Sequence, residues 1–179
     1  VTDSSTLTFA NSKLTAPIFN ASGASTTLIS LNNASLLSAS STQHFISLGF
    51  ASGTSTTNNS YATFIGGGAG VGATDAAYAN FLGISAGAGA GNAYHSNFIG
   101  YSTGLNAYNG YNSFFVGSGA GSFAVNAANS IFIGPSAGAS DSVDNTGSTA
   151  STSIAIGQFS GTGGFSDSIA LGHGVINSA

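Results

Sequence analysis

The chain has 179 residues, enough for one continuous core, and only six of them carry charge: Lys13 and the aspartates Asp3, Asp75, Asp141, Asp144 and Asp167. A soluble domain is about a quarter charged, and binding nucleic acid requires Lys and Arg to neutralise phosphates, so nucleic acid is excluded as a partner. Thirteen Phe and six Tyr exclude the aromatic-poor composition of a disordered chain, and zero Cys excludes disulfides and thiolate metal sites.

Residues 1–43 read as an N-terminal β segment. Thr6-Leu7-Thr8-Phe9 alternates as a half-buried strand does, Asn11-Ser12-Lys13 is turn-like, and Pro17-Ile18-Phe19 is apolar. A chain that opens on Val1 and holds no Met is expected to have lost an initiator with a signal segment, or to have been cut from something larger. The segment is expected either to cap the repeat that follows or to couple one chain to the next by strand addition, because the ends of a stacked sheet expose unpaired N–H and C=O groups. Sequons at Asn20, Asn33 and Asn58 are compatible with a glycosylated surface protein, although an Asn/Ser/Thr-rich chain produces them by chance. No run of about 18 uninterrupted apolar residues occurs, so no helix of this chain is expected to insert into a membrane.

Residues 44–179 carry a repeat. A short apolar run closed by glycine recurs at Gly49, Gly66, Gly83, Gly100, Gly117, Gly134, Gly157 and Gly172. The first five steps are 17 residues, the next is 23 and accommodates an insertion near 142–150, and the last is 15. A second glycine follows four residues after the first in seven coils, at Gly53, Gly70, Gly87, Gly104, Gly121, Gly138 and Gly161, which marks a recurrent turn. Helical repeats do not tolerate this much glycine, at about 1 kcal/mol per interior position relative to Ala. Each coil is too short to bury its own apolar face, so coils must stack about 4.8 Å apart. The predicted fold is all-β: a parallel β-solenoid of about eight coils, roughly 40 Å long.

Two columns run along this predicted stack. Leu48, Ile65, Leu82, Ile99, Val116, Ile133, Ile156 and Leu171 precede the closing glycines, and Phe64, Phe81, Phe98, Phe115 and Phe132 stand one place earlier. Neighbouring residues of a strand face opposite ways. We assign the aliphatic column to the core and the Phe column to an outer stripe that serves as an assembly interface, in a homotrimer or filament. The alternative is a bulge or a flattened coil that buries both columns within one chain.

Catalytic chemistry finds little to use. His44, Tyr61, Tyr78 and His95 share one column, five places before the closing glycine, and form a candidate ligand ladder because aromatic rows stack on sugars. His44 and His95 lie three coils apart, roughly 14 Å, too far to share a metal. His173 is isolated, Asp75 and Asp167 stand alone, and Asp141 and Asp144 fall in the insertion, so no calcium-binding signature forms. The glycines between Gly66 and Gly72 belong to the coil period and lack the Lys of a phosphate cradle, and no nucleophile elbow or Ser/His/Asp set occurs. We expect neither an enzyme nor a cofactor.

Ser153-Ile154-Ala155-Ile156-Gly157 and Ser168-Ile169-Ala170-Leu171-Gly172 resemble the Ser-Val-Ala-Ile-Gly repeat of trimeric autotransporter adhesin heads of the YadA type. The 17-residue coils, as in Asn129-Ser130-Ile131-Phe132-Ile133-Gly134 followed by Ser136-Ala137-Gly138, look like a longer, Phe-bearing version. The resemblance implies a left-handed parallel β-roll that trimerises side by side on a cell surface and mediates adhesion. The chain departs from that family in showing no recognisable neck, coiled-coil stalk or membrane anchor. We therefore expect an extracellular structural or adhesive fibre protein, with a host-surface protein or a glycan as a further partner. A phage tail-fibre segment is the alternative. Ice binding would need hydroxyls in register on every coil, and the best column, Ala62, Ala79, Ser96, Ser113, Ser130, Ser153 and Ser168, lacks paired Thr rows.

Overall fold

The computed structural model describes residues 29–31, 34–39, 44–140, 152–165 and 167–177. Among them lie ten strands and no helix: β1 (Ile29–Leu31), β2 (Ala34–Ala39), β3 (Ile46–Leu48), β4 (Thr63–Ile65), β5 (Asn80–Leu82), β6 (Asn97–Ile99), β7 (Phe114–Val116), β8 (Ile131–Ile133), β9 (Ile154–Ile156) and β10 (Ile169–Leu171). They form one sheet in chain order. β3 to β10 pair in parallel and in register, as in Phe81↔Phe98 and Phe98↔Phe115, so eight parallel strands climb a solenoid of about seven turns. The 23-residue step leaves the ladder intact, with Ile131 opposite Ile154. β2 pairs antiparallel with β3 and covers its free edge, while β1 folds back on β2. The remaining N-terminal features, Thr6–Phe9, Lys13 and Pro17–Phe19, lie outside the described residues.

Each solenoid strand, β3 to β10, is only three residues long because both its neighbours are turns that the sequence enforces. The closing glycine Gly49 has φ +129, a conformation that excludes side chains, and a Cβ there would stand 2.8 Å from the carbonyl of Gly66 in the next coil. Coils therefore touch backbone to backbone at this corner. The second glycine serves a different need. At Gly70, with φ +68, a Cβ would sit 2.7 Å from the ring of Phe64, so this position must be bare for the ring to fit. Gly161, the last of that column, instead pairs with Ile176 in a parallel bridge. Hydrogen bonds between coils continue around the turns, for example from the Gly87 N–H to the Thr103 carbonyl and from the Gly104 N–H to the Ala120 carbonyl, both 2.8 Å.

The orientation of the strands reverses the expected roles of the two columns. Phe64, Phe81, Phe98, Phe115 and Phe132 are fully buried and form the spine of the core, so they are not an outer stripe. Leu48, Ile65, Leu82, Ile99, Val116, Ile133, Ile156 and Leu171 point outward, from half-buried to 61 % exposed at Leu171, so they are not the core column. Neither a bulge nor a flattened coil hides them. The physical reason lies on the opposite wall of the coil, where Ala69, Ala86, Ala120, Ala137 and the bare Gly70-type corners leave a flat slot. A phenyl ring fills that slot and stacks on its neighbours at the coil spacing. Phe81, Phe98, Phe115 and Phe132 lie 4.9, 4.8 and 4.7 Å apart with planes within 11°. Phe64 tilts by 43° against Phe81 at the end of the row. Ser47, Ala155 and Ala170 take the same inward place in the coils beyond the row.

A second inward column joins the coils by polar contacts. Ser96 Oγ donates to the Gly110 carbonyl at 2.5 Å and accepts the Ser113 N–H at 3.1 Å, and Ser113 repeats the pattern with Ala127 and Ser130. These hydroxyls are buried, as are Ala62, Ala79 and Ser153 in the same column. The face considered for ice binding is therefore interior.

Candidate functional sites

The first candidate is the outer face of the parallel sheet. Every strand shows the pattern out, in, out, so two residues per coil reach the surface. The later one is always aliphatic. The earlier one is apolar in β3, at Ile46, polar in β4 to β6, at Thr63, Asn80 and Asn97, and apolar again in β7 to β10, at Phe114, Ile131, Ile154 and Ile169. The result is an apolar stripe along eight strands that is two residues wide at β3 and over the last four. The Asn80 amide donates to Asn97 at 2.9 Å, so the polar stretch is tied along the axis as well. No charged residue lies in any of the eight strands.

The second candidate is the His44/Tyr61/Tyr78/His95 column, which the fold brings together as expected. His44 stacks on Tyr61 at 4.9 Å, Tyr61 on Tyr78 at 5.1 Å, and His95 meets Tyr78 edge-on at 5.0 Å. Tyr94 and Tyr111 extend the cluster as a second stack, 5.0 Å apart, and Tyr94 touches His95. The mode differs from the expectation: ring faces lie largely against one another, and the strip offers solvent its ring edges, hydroxyls and imidazole nitrogens. Its backbone is strained. His44, Tyr61, Tyr78 and His95 all have φ between 56° and 60°, which costs about 1–2 kcal/mol for an L residue. Asn112, Asn129 and Asp167 hold the same place in later coils, and Asn and Asp, like His, adopt this conformation more readily than Tyr.

Three residues before five of these positions, from Tyr61 to Asn129, runs an amide and carboxylate column that sequence reasoning passed over, made of Asn58, Asp75, Asn92, Asn109 and Asn126. Asn58 donates to Asp75 at 2.8 Å, Asn92 to Asn109 at 2.6 Å, and Asn109 to Asn126 at 2.8 Å. The signal was present as Asn or Asp at a 17-residue spacing.

Comparison with family models, with curated proteins and with solved structures finds no match to this chain. The molecule must be read from its own surfaces. Among the described residues no three His, Asp, Glu or Cys side chains gather as a metal site, and no helix is long and apolar enough to cross a membrane. A cleft lined by Ser136, Ser140, Phe159, Ser160 and Ile176 among others holds no titratable side chain among the described residues. Asp141 and Asp144 lie outside the described residues. Phe159 contacts His173 edge-on at 6.1 Å.

Proposed function

We propose that this chain is an extracellular structural protein, a rod-like unit that assembles with copies of itself into a surface fibre. The observation that carries the proposal is the outward aliphatic column from Leu48 to Leu171, with its widened end from Phe114 to Leu171. An exposed stripe of this length is more than the scattered apolar residues of an ordinary monomer surface. The parallel ladder fixes it flat, in register and without charge, which suits it to meet an identical stripe. The interface is thus assigned to the aliphatic residues rather than to the Phe spine. The Ser-Ile-Ala-Ile-Gly coils lend weight to an adhesin-head-like arrangement in which protomers lie side by side.

Rigidity follows from the same design. In-register backbone ladders and a continuous ring stack resist bending along the axis, and each coil contributes through its nearest neighbours alone. Sedimentation equilibrium of the purified chain is the test. Association to a trimer or larger species supports the proposal, and a stable species at the chain mass of 17.3 kDa across the concentration range refutes it.

A further inference from the structure

We propose that the exposed aromatic strip of the first four coils, with the Asn/Asp column three residues upstream, binds an extended, uncharged β-1,4-linked glycan lying parallel to the solenoid axis. The inference does not rest on lateral assembly.

Four observations support it. First, the strip has a fixed pitch: His44, Tyr61, Tyr78 and His95 follow one another at 4.9, 5.1 and 5.0 Å. Successive pyranose rings of an extended β-1,4 glycan advance by nearly that distance, so one polar ring edge can meet each sugar over several coils without either partner bending. A helical α-1,4 glucan has no such match. Second, the functional groups suit sugar hydroxyls. Tyr hydroxyls and imidazole nitrogens both donate and accept, and Asn58, Asp75 and Asn92 add a parallel row of carboxamide and carboxylate groups. Tyr61 and Tyr78 are about half exposed, at 52 % and 53 %. Third, the two tyrosines are costly where they stand. The same place holds Asn112 and Asn129 in later coils, and Asn and His are accepted there more readily than Tyr, so Tyr61 and Tyr78 stand against local backbone preference. Fourth, the ligand must be neutral. The strip and the column beside it contain no Arg or Lys and include the carboxylate of Asp75, so a sulfated or carboxylated glycan would meet no Arg or Lys among their residues.

Binding here is through edges and hydroxyls, since the ring faces are occupied by neighbouring rings. Affinity is therefore spread over several weak hydrogen bonds and rises with oligosaccharide length.

The test uses the full chain with microcrystalline cellulose, chitin, granular starch and heparin-agarose, and with soluble cello- and chito-oligosaccharides of increasing length. The expected result is retention on cellulose or chitin, the preference between them identifying the sugar, with none on starch or heparin. The double variant Tyr61→Asn/Tyr78→Asn places in the strip the residue that Asn112 and Asn129 already supply, so it stays folded, and its affinity falls by roughly tenfold or more. Tyr61→Phe/Tyr78→Phe keeps the stack, removes the hydroxyls and weakens binding several-fold, and it decides the matter if the Asn pair unfolds. Absence of retention on both β-1,4 glycans overturns the proposal, as does binding that neither variant changes. A change in the chain's own association with no glycan binding overturns it too, and makes the strip a contact between copies.

Discussion

Replacing Phe98 by Ala tests the inward assignment of the Phe column. Phe98 is fully buried and stacked on both sides, on Phe81 at 4.9 Å and Phe115 at 4.8 Å. Removing a buried Phe costs about 3–5 kcal/mol in lost transfer energy and residual cavity, and each ring pair adds about 0.5–1.5 kcal/mol beyond its buried area. Phe132 has one stacked neighbour, Phe115, because Ala155 takes the inward place in the next coil. Phe98→Ala should thus be more destabilising than Phe132→Ala by the worth of one ring pair, about 1 kcal/mol. Ile99, one residue along and 37 % exposed, should cost only about 1 kcal/mol on truncation to Ala. Urea unfolding followed by far-UV circular dichroism, at several protein concentrations, measures all three. The Phe costs should be independent of concentration, and the Ile99 cost should grow as concentration rises and assembly adds to stability. Equal costs at Phe98 and Ile99 in dilute solution, or a larger cost at Phe132 than at Phe98, would refute the reasoning.

Other substitutions read single contacts. Gly104→Ala should lower the unfolding free energy by roughly 1–3 kcal/mol, because the residue has φ +63 and its new Cβ would overlap the Phe98 ring; a variant as stable as the native chain in thermal melts would contradict the packing. Ser113→Ala should cost roughly 1–3 kcal/mol by leaving the buried Ala127 carbonyl and Ser130 N–H without their partner, while Ser118→Ala, on the exposed surface, should be neutral in the same assay. Removing residues 143–148, which shortens the 23-residue step to 17, should leave the circular dichroism spectrum and melting temperature nearly unchanged, since β8 and β9 already pair in register; loss of cooperative unfolding would show that the longer step is structural.

The period of the fold was legible because glycine cannot be replaced where a coil passes backbone to backbone. Gly49 and its equivalents mark each corner, and counting between them yields the strands, their order and their parallel pairing. The orientation of the strands was not legible from the strands alone. In a three-residue strand the alternation contains one inward and two outward positions, and Phe64 and Ile65 are both apolar, so local pattern cannot say which is inside. The deciding information sat elsewhere in the coil, in the Ala69- and Gly70-type columns. Their small residues narrow the interior to a slot that a flat ring fills and a branched chain does not. The aromatic ladder was legible from spacing, since any in-register solenoid stacks residues one period apart. Its left-handed backbone, and hence the closure of its ring faces against one another, was not. Asn112, Asn129 and Asp167 in the same column were the available signal for that conformation.

The central claim, assembly through the outward aliphatic column, is tested most directly by the paired variant Ile133→Asp/Ile156→Asp, which places two carboxylates in the widened end of the stripe. Both residues point away from the core, so the account predicts an unchanged far-UV spectrum. Sedimentation velocity should then show the native chain associated and the variant as a folded monomer. A native chain that sediments as a monomer, or a variant that associates as the native chain does, would contradict it.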